Sequence, residues 1–231
     1  MRKRESLRKR LKPTGWEIFE AEAAYAQSIF RGALGDQAGS LAALERTLQL
    51  NPSYSPAILS MGSVKYQLGQ NRKGRELFHS LVSLPMETPE LAEILDEAGS
   101  FLIEIEAYKD GLELFREAAG KFPCVAALHQ GLACCAGHQS LHDEAVSASQ
   151  RALELEPDNQ EHVNDLGWSL FEAGRVKEAE QVLRRAVTMD PSDDLARENL
   201  RVCGEQISRS SQETTTAGHR ARRTRSRPQP R

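Results

Sequence analysis

Five prolines stand on an almost regular ruler along this chain: Pro52, Pro85, Pro123, Pro157 and Pro191. The last two steps are 34 residues each, and the same step from Pro52 lands on Met86, one place past Pro85. Three inserted residues then bring the count to Pro123. Proline removes a helical hydrogen-bond donor and disfavours helical geometry in the residue before it, so each one closes a helix. A fixed period of about 34 residues in an apolar-periodic chain predicts a helix-turn-helix solenoid. No alternating strand-like run of useful length competes with that reading, so the expected class is all-α.

On a 34-residue frame the chain divides into repeats 21–54, 55–88, 92–125, 126–159 and 160–193. The fifth is the clearest, with Leu166-Gly167, Gly174 at the turn, then Ala179, Leu183, Ala186 and Pro191. The fourth has Leu132-Ala133, Ala145, Ala152 and Pro157, and the third has Ala98-Gly99, Gly111, Phe115, Ala118 and Pro123. The second keeps Met61-Gly62, Gly69, Gly74 and Phe78, and the first keeps only Gly35, Ser40, Leu44 and Pro52. Thr14 with Glu17, and Ser140 with Asp143, have capping-box spacing at expected helix starts. After Pro191, Ala196, Leu200, Cys203 and Ile207 recur at helical spacing and predict a capping helix over 194–207.

These residues resemble the tetratricopeptide repeat, whose pattern sets small residues at positions 8, 20 and 27 and a closing proline at 32. The resemblance covers residues 21–193. It implies a right-handed α-solenoid of about five repeats within residues 13–207, each burying its apolar face against its neighbours. The repeated proline and the 34-residue steps argue against the rival 35-residue repeat that reads single-stranded RNA.

Charge is unevenly placed. Residues 1–12, a basic N-terminal arm, carry seven basic side chains against Glu5, and residues 209–231 carry seven against Glu213. A net charge of −3 therefore leaves −15 for the body. Residues 208–231 lack apolar periodicity and are expected to form a disordered, Arg-rich tail. Its Arg220, Arg222, Arg223, Arg225 and Arg227 are candidate contacts for nucleic-acid phosphates. Folding back onto the acidic body and simple solvation are the other readings of that tail. Four cysteines without a secretory signal read as reduced thiols of a cytoplasmic protein, and no window has the length of a membrane span.

Cys134, Cys135, His138 and His142, with His129 upstream, have the composition of a metal site. On the repeat frame they fall at ordinary helix positions, so no metal and no cofactor is expected. His142-Asp143-Glu144 is the polar first turn of a helix, and no phosphate loop or nucleophile elbow accompanies it. The chain is expected not to be an enzyme.

In the family, first-helix positions 2, 5, 6, 9, 12 and 13 line the binding groove. The resemblance therefore assigns Tyr25, Leu59, Tyr66, Glu93, Asp96, Glu97, Ser100, Gln130, Asn164, Asp165 and Trp168 to partner binding, with Ile29, Ser63, Glu104, Cys134, His138, Glu161 and Glu172 at neighbouring groove positions and Ile103 and Phe171 expected to pack instead. Family members that clamp a chaperone's C-terminal carboxylate use Lys, Asn and Arg at such positions. Here Tyr25, Ile29, Ser60, Glu93 and Glu97 stand there, and the acids would repel a carboxylate. The expected function is a non-catalytic scaffold holding a basic or amphipathic protein segment, with Trp168 and Tyr66 as anchors. A nucleic-acid-associated protein acting through its basic ends, and a secretion or assembly chaperone, are the alternatives.

Overall fold

A computed structural model describes residues 15–225. Among them are eleven α-helices and no strand. The chain is an all-α helical repeat protein that divides into two compact units, residues 1–122 and 123–231. The N-terminal arm, Thr14 of the first expected cap, and Arg227 lie outside the described residues.

The first unit holds α1 (Gly15–Ala33), α2 (Gln37–Leu50), α3 (Ser55–Gln67), α4 (Asn71–Val82), α5 (Leu91–Glu104) and α6 (Tyr108–Lys121). The second holds α7 (Ala126–His138), α8 (His142–Leu155), α9 (Gln160–Glu172), α10 (Val176–Met189) and α11 (Asp194–Arg225). Odd-numbered helices up to α9 are the first helix of a repeat, and even-numbered helices the second.

Two local devices recur with the period. The first is the turn between the paired helices, where one residue takes the left-handed conformation: Gly35, Gly69, Glu106, Ser140 and Gly174, with φ between 57° and 80°. The residue after it then reaches back to close the helix, as in Gln70 N to Lys65 O at 2.8 Å and Arg175 N to Leu170 O at 2.9 Å. The same bond runs from Asp36, Ala107 and Leu141. This is the Schellman closure, which satisfies carbonyls that would otherwise lack a partner. Ser140 therefore terminates α7, and the capping box expected from Ser140 and Asp143 does not form; Leu141 is the N-cap of α8 and contributes no side-chain bond.

The second device is the proline. Asn51, Phe122, Glu156 and Asp190 each end a helix with non-helical backbone, ψ between 68° and 96°, directly before proline. The second repeat departs from this. α4 ends at Ser83 in helical geometry, two residues before Pro85, and Glu90 takes φ 54° just before α5. The Lys121 ammonium donates to Val82 O at 2.6 Å and to Leu84 O, so the irregular helix end keeps its carbonyls satisfied.

Small residues let the paired helices approach. A methyl group added at Gly62 would sit 2.2 Å from the Phe78 ring, and one at Gly99 would sit 2.2 Å from Phe115. In the first unit Leu44, Ala57 and Met61 form a buried cluster with Tyr25, Leu41, Leu48, Tyr54 and Leu77 around it. In the second, Val146, Leu170, Ala179, Leu183 and Cys203 form one cluster and Val163, Ala186 and Ala196 another. α11 closes these clusters through Ala196 and Cys203, with Leu200 and Ile207 packed alongside. Its backbone stays helical to Arg225 rather than ending at 207. Arg201 bridges Glu198 and Glu205, and Arg209 lies 3.7 Å from Glu205, ion pairs at helical spacing that support this continuation.

Candidate functional site

The first helices of the third and fifth repeats share a surface pattern. Counting each from the start of its frame, Glu93, Glu97, Ser100 and Glu104 of α5 occupy positions 2, 6, 9 and 13. Glu161, Asp165, Trp168 and Glu172 of α9 occupy the same four. Spacings of four, three and four residues put each set on one stripe of its helix. All four residues of the α5 stripe are exposed. On α9, Glu161 and Glu172 are exposed while Asp165 and Trp168 are half-buried.

The α9 stripe is the better built of the two. The Trp168 ring leans on Phe171 with centroids 5.1 Å apart, which leaves an aromatic surface of fixed orientation between two acids. Asp165 accepts a 3.0 Å hydrogen bond from Gln130 Nε2 on α7. Burial pushes the Asp165 carboxyl above its usual range and Glu161 adds to this, while the Gln130 bond and His162 pull it down. Cys134 shares the neighbourhood, and its thiol is pushed up by burial first and by Asp165 and Glu172 next. That environment holds Cys134 as a thiol, not a thiolate nucleophile.

The Gln130–Asp165 bond belongs to a ladder. Tyr25 and Ser60 share a 3.2 Å hydrogen bond in the first unit, and Asn199 Nδ2 donates to Asn164 Oδ1 at 3.1 Å in the second. All three pairs are 35 residues apart, joining position 5 of one repeat to position 6 of the next. Such bonds fix the register of adjacent first helices. They also occupy polar groups that a partner would otherwise use.

Residues 131–194 match the family model of the tetratricopeptide repeat. A curated relative, small glutamine-rich tetratricopeptide repeat-containing protein 2 of Mycosarcoma maydis, is 27% identical over 120 residues. That alignment covers 52% of this chain and 34% of the relative, so the chain spans about a third of the relative's length. Among solved structures, YrrB, described as a TPR protein with an unusual peptide-binding site, superposes with a TM-score of 0.57. It is 18% identical, over 80% of this chain and 92% of YrrB. The MamA protein gives a TM-score of 0.57 at 17% identity, over 74% of this chain and 92% of its own. Residues 131–194 are tetratricopeptide repeats, and the fold of the chain is similar to solved structures of such repeat proteins.

Within this tetratricopeptide array the residues expected to line a groove separate into three groups. Glu93, Glu97 and Ser100 are exposed, and Leu59, Asp96 and Trp168 are half-buried. Burial, then the charge of Glu97, pushes the Asp96 carboxyl up. Tyr25, Gln130, Asn164 and Asp165 are engaged in the ladder, and Asn164 is buried. Tyr66 corrects the expectation. Its ring is buried against Phe78 and Phe101, and its hydroxyl donates to Asp110 at 2.7 Å, so it is a core residue and offers no anchor. Its position leaves it free to point inward because Gly74 has no side chain there; a methyl would lie 2.4 Å from the ring.

Arg220, Arg222, Arg223 and Arg225 lie on the last turns of the α11 backbone. Among the described residues no three His, Cys, Asp or Glu side chains gather as metal ligands. Cys135 is fully buried while His138 is exposed, so those two do not share a site. No helix among the described residues is long and apolar enough to cross a membrane. The ladder was the feature missed in sequence. Its signal was a set of polar residues 35 apart, one more than the repeat period.

Proposed function

We propose that this protein is a non-catalytic docking scaffold that takes a basic or amphipathic segment of another protein on the α9 stripe. The carrying observation is Trp168, a half-exposed aromatic held by Phe171 and flanked by Glu161, Asp165 and Glu172. An aromatic anchor supplies buried area at low entropic cost, and the acids select the sign of the partner's charge. The exposed α5 acids extend the same preference to the first unit. The peptide-binding site in the description of YrrB supports a peptide as the kind of ligand.

Trp16 and Trp168 are the two tryptophans of the chain, so a Trp16→Phe variant reports on Trp168 alone. Titrating it with a Lys-rich amphipathic peptide should shift the Trp168 emission, and an acidic peptide of the same pattern should not. Trp168→Ala should weaken capture at least about 10-fold with helix content unchanged. Equal binding of the two peptides, or capture that ignores Trp168→Ala, removes this reading. Deleting residues 209–231 in parallel separates docking from any retention of nucleic acid by the arginines of the tail.

A further inference from the structure

The first helix is built inside out. α1 buries its small residues, Ala21, Ala24 and Ser28, half-buries Tyr25, and exposes its other large apolar side chains. Trp16 is 68% exposed, Phe19 61%, Ile29 58% and Phe30 65%. Trp16, Phe19, Ala23, Ala26 and Phe30 follow steps of three and four residues, the a/d spacing of a helix that packs along another helix. Glu20, which accepts a 3.1 Å hydrogen bond from Trp16 Nε1, and Glu22 border this face. Together these side chains expose on the order of 600 Å² of apolar surface, at the upper end of what a monomer leaves uncovered.

A helix face left to solvent is expected to be polar. α11 supplies one, with Arg197, Glu198, Arg201 and Glu205 exposed and ion-paired. α1 does the reverse.

We propose that the outward face of α1 is a self-association surface, occupied by α1 of a second copy in antiparallel orientation. The stripe is self-complementary about its middle. Ala23 lies seven residues from Trp16 and seven from Phe30, so small residues would meet at the two-fold axis and let the backbones approach. Trp16 of each copy would then cover Phe30 of the other. The area per copy approaches the roughly 800 Å² of a standard interface. None of the α9 residues takes part, so this surface stands or falls apart from the docking stripe.

Sedimentation equilibrium or light scattering on the full chain tests it. The expected mass is twice 25.7 kDa across the micromolar range. Ala23 is exposed in the single copy, so Ala23→Arg and Ala23→Glu should each fold, with unchanged far-UV helicity, but run as monomers. Mixing the two variants should restore the dimer, since opposite charges then meet at the axis. A chain at monomer mass throughout the range overturns the proposal. So does a dimer that survives Ala23→Arg.

Discussion

The Tyr66 hydroxyl donates a 2.7 Å hydrogen bond to Asp110 Oδ2, tying α3 to the first turn of α6 across 44 residues of chain. Arg75 Nε on α4 lies 3.3 Å from the other oxygen of the same carboxylate. Three helices of the first unit thus converge on Asp110. Burial first, then the hydrogen bond to Asp110, pushes the Tyr66 phenol far above its usual pKa, so it stays a donor at any working pH. Removing it leaves the carboxylate with Arg75 alone. Tyr66→Phe should cost about 1.5–3 kcal/mol in a urea melt, the range for a hydrogen bond to a charged group. Peptide capture at Trp168 should not change, because Tyr66 is core.

The left-handed turn residue gives a prediction of opposite sign. Three of the five turns use glycine, while Glu106 and Ser140 hold the same conformation at φ 58° and 57°. A side chain in that region costs about 1–2 kcal/mol, of which the greater freedom of an unfolded glycine takes back about 0.5–1. Glu106→Gly and Ser140→Gly should each stabilise the chain by up to about 1 kcal/mol. They lie in separate units, so their effects on the denaturation midpoint should add.

Helix ends and tight helix pairs could be read from sequence because one residue decides each of them. Pro52, Pro123, Pro157 and Pro191 each stop the helix before them, and Gly62 against Phe78 or Gly99 against Phe115 follows from position in the frame. Tyr66 could not be read that way. Position 12 borders both the groove and the core, and its direction depends on Gly74 and on Asp110 in the next repeat. The ladder was hidden for a related reason: Gln130 and Asp165 look like free groove residues until the register between α7 and α9 is known. The outward aromatics of α1 were masked by a period that told only which residues are apolar, not which of them the neighbouring helix covers.

Thiol chemistry separates the four cysteines. Cys124 is exposed, whereas Cys135 and Cys203 are buried and Cys134 is half-buried. Burial followed by the charge of Cys134 pushes the Cys135 thiol up to about 12, and burial raises Cys134 and Cys203 as well. The thiolate is the reactive form, so a disulfide reagent near pH 8 should label Cys124 quickly and the other three slowly. Unfolding in guanidinium should make all four equal. Fast native labelling of Cys134 would contradict the burial of its face of α7.

Asp165 joins stability to function in one carboxylate. Its folded-state pKa is raised above the ordinary value, chiefly by burial. The stability it contributes is therefore present below the unfolded-state pKa and lost as pH rises through the folded-state value. At neutral pH the charge is held against a desolvation cost. Asp165→Asn keeps an oxygen to accept from Gln130 and removes the charge, so the variant should melt at a higher temperature than the parent at pH 7. That gain should shrink as pH falls through the carboxylate range, because the parent becomes neutral too. If the stripe is a docking surface for basic segments, the same substitution should weaken capture of the Lys-rich peptide. A residue that costs stability and returns affinity is the trade expected at a binding site. Asp165→Asn that neither stabilises at neutral pH nor weakens capture would leave the buried charge without a role in either.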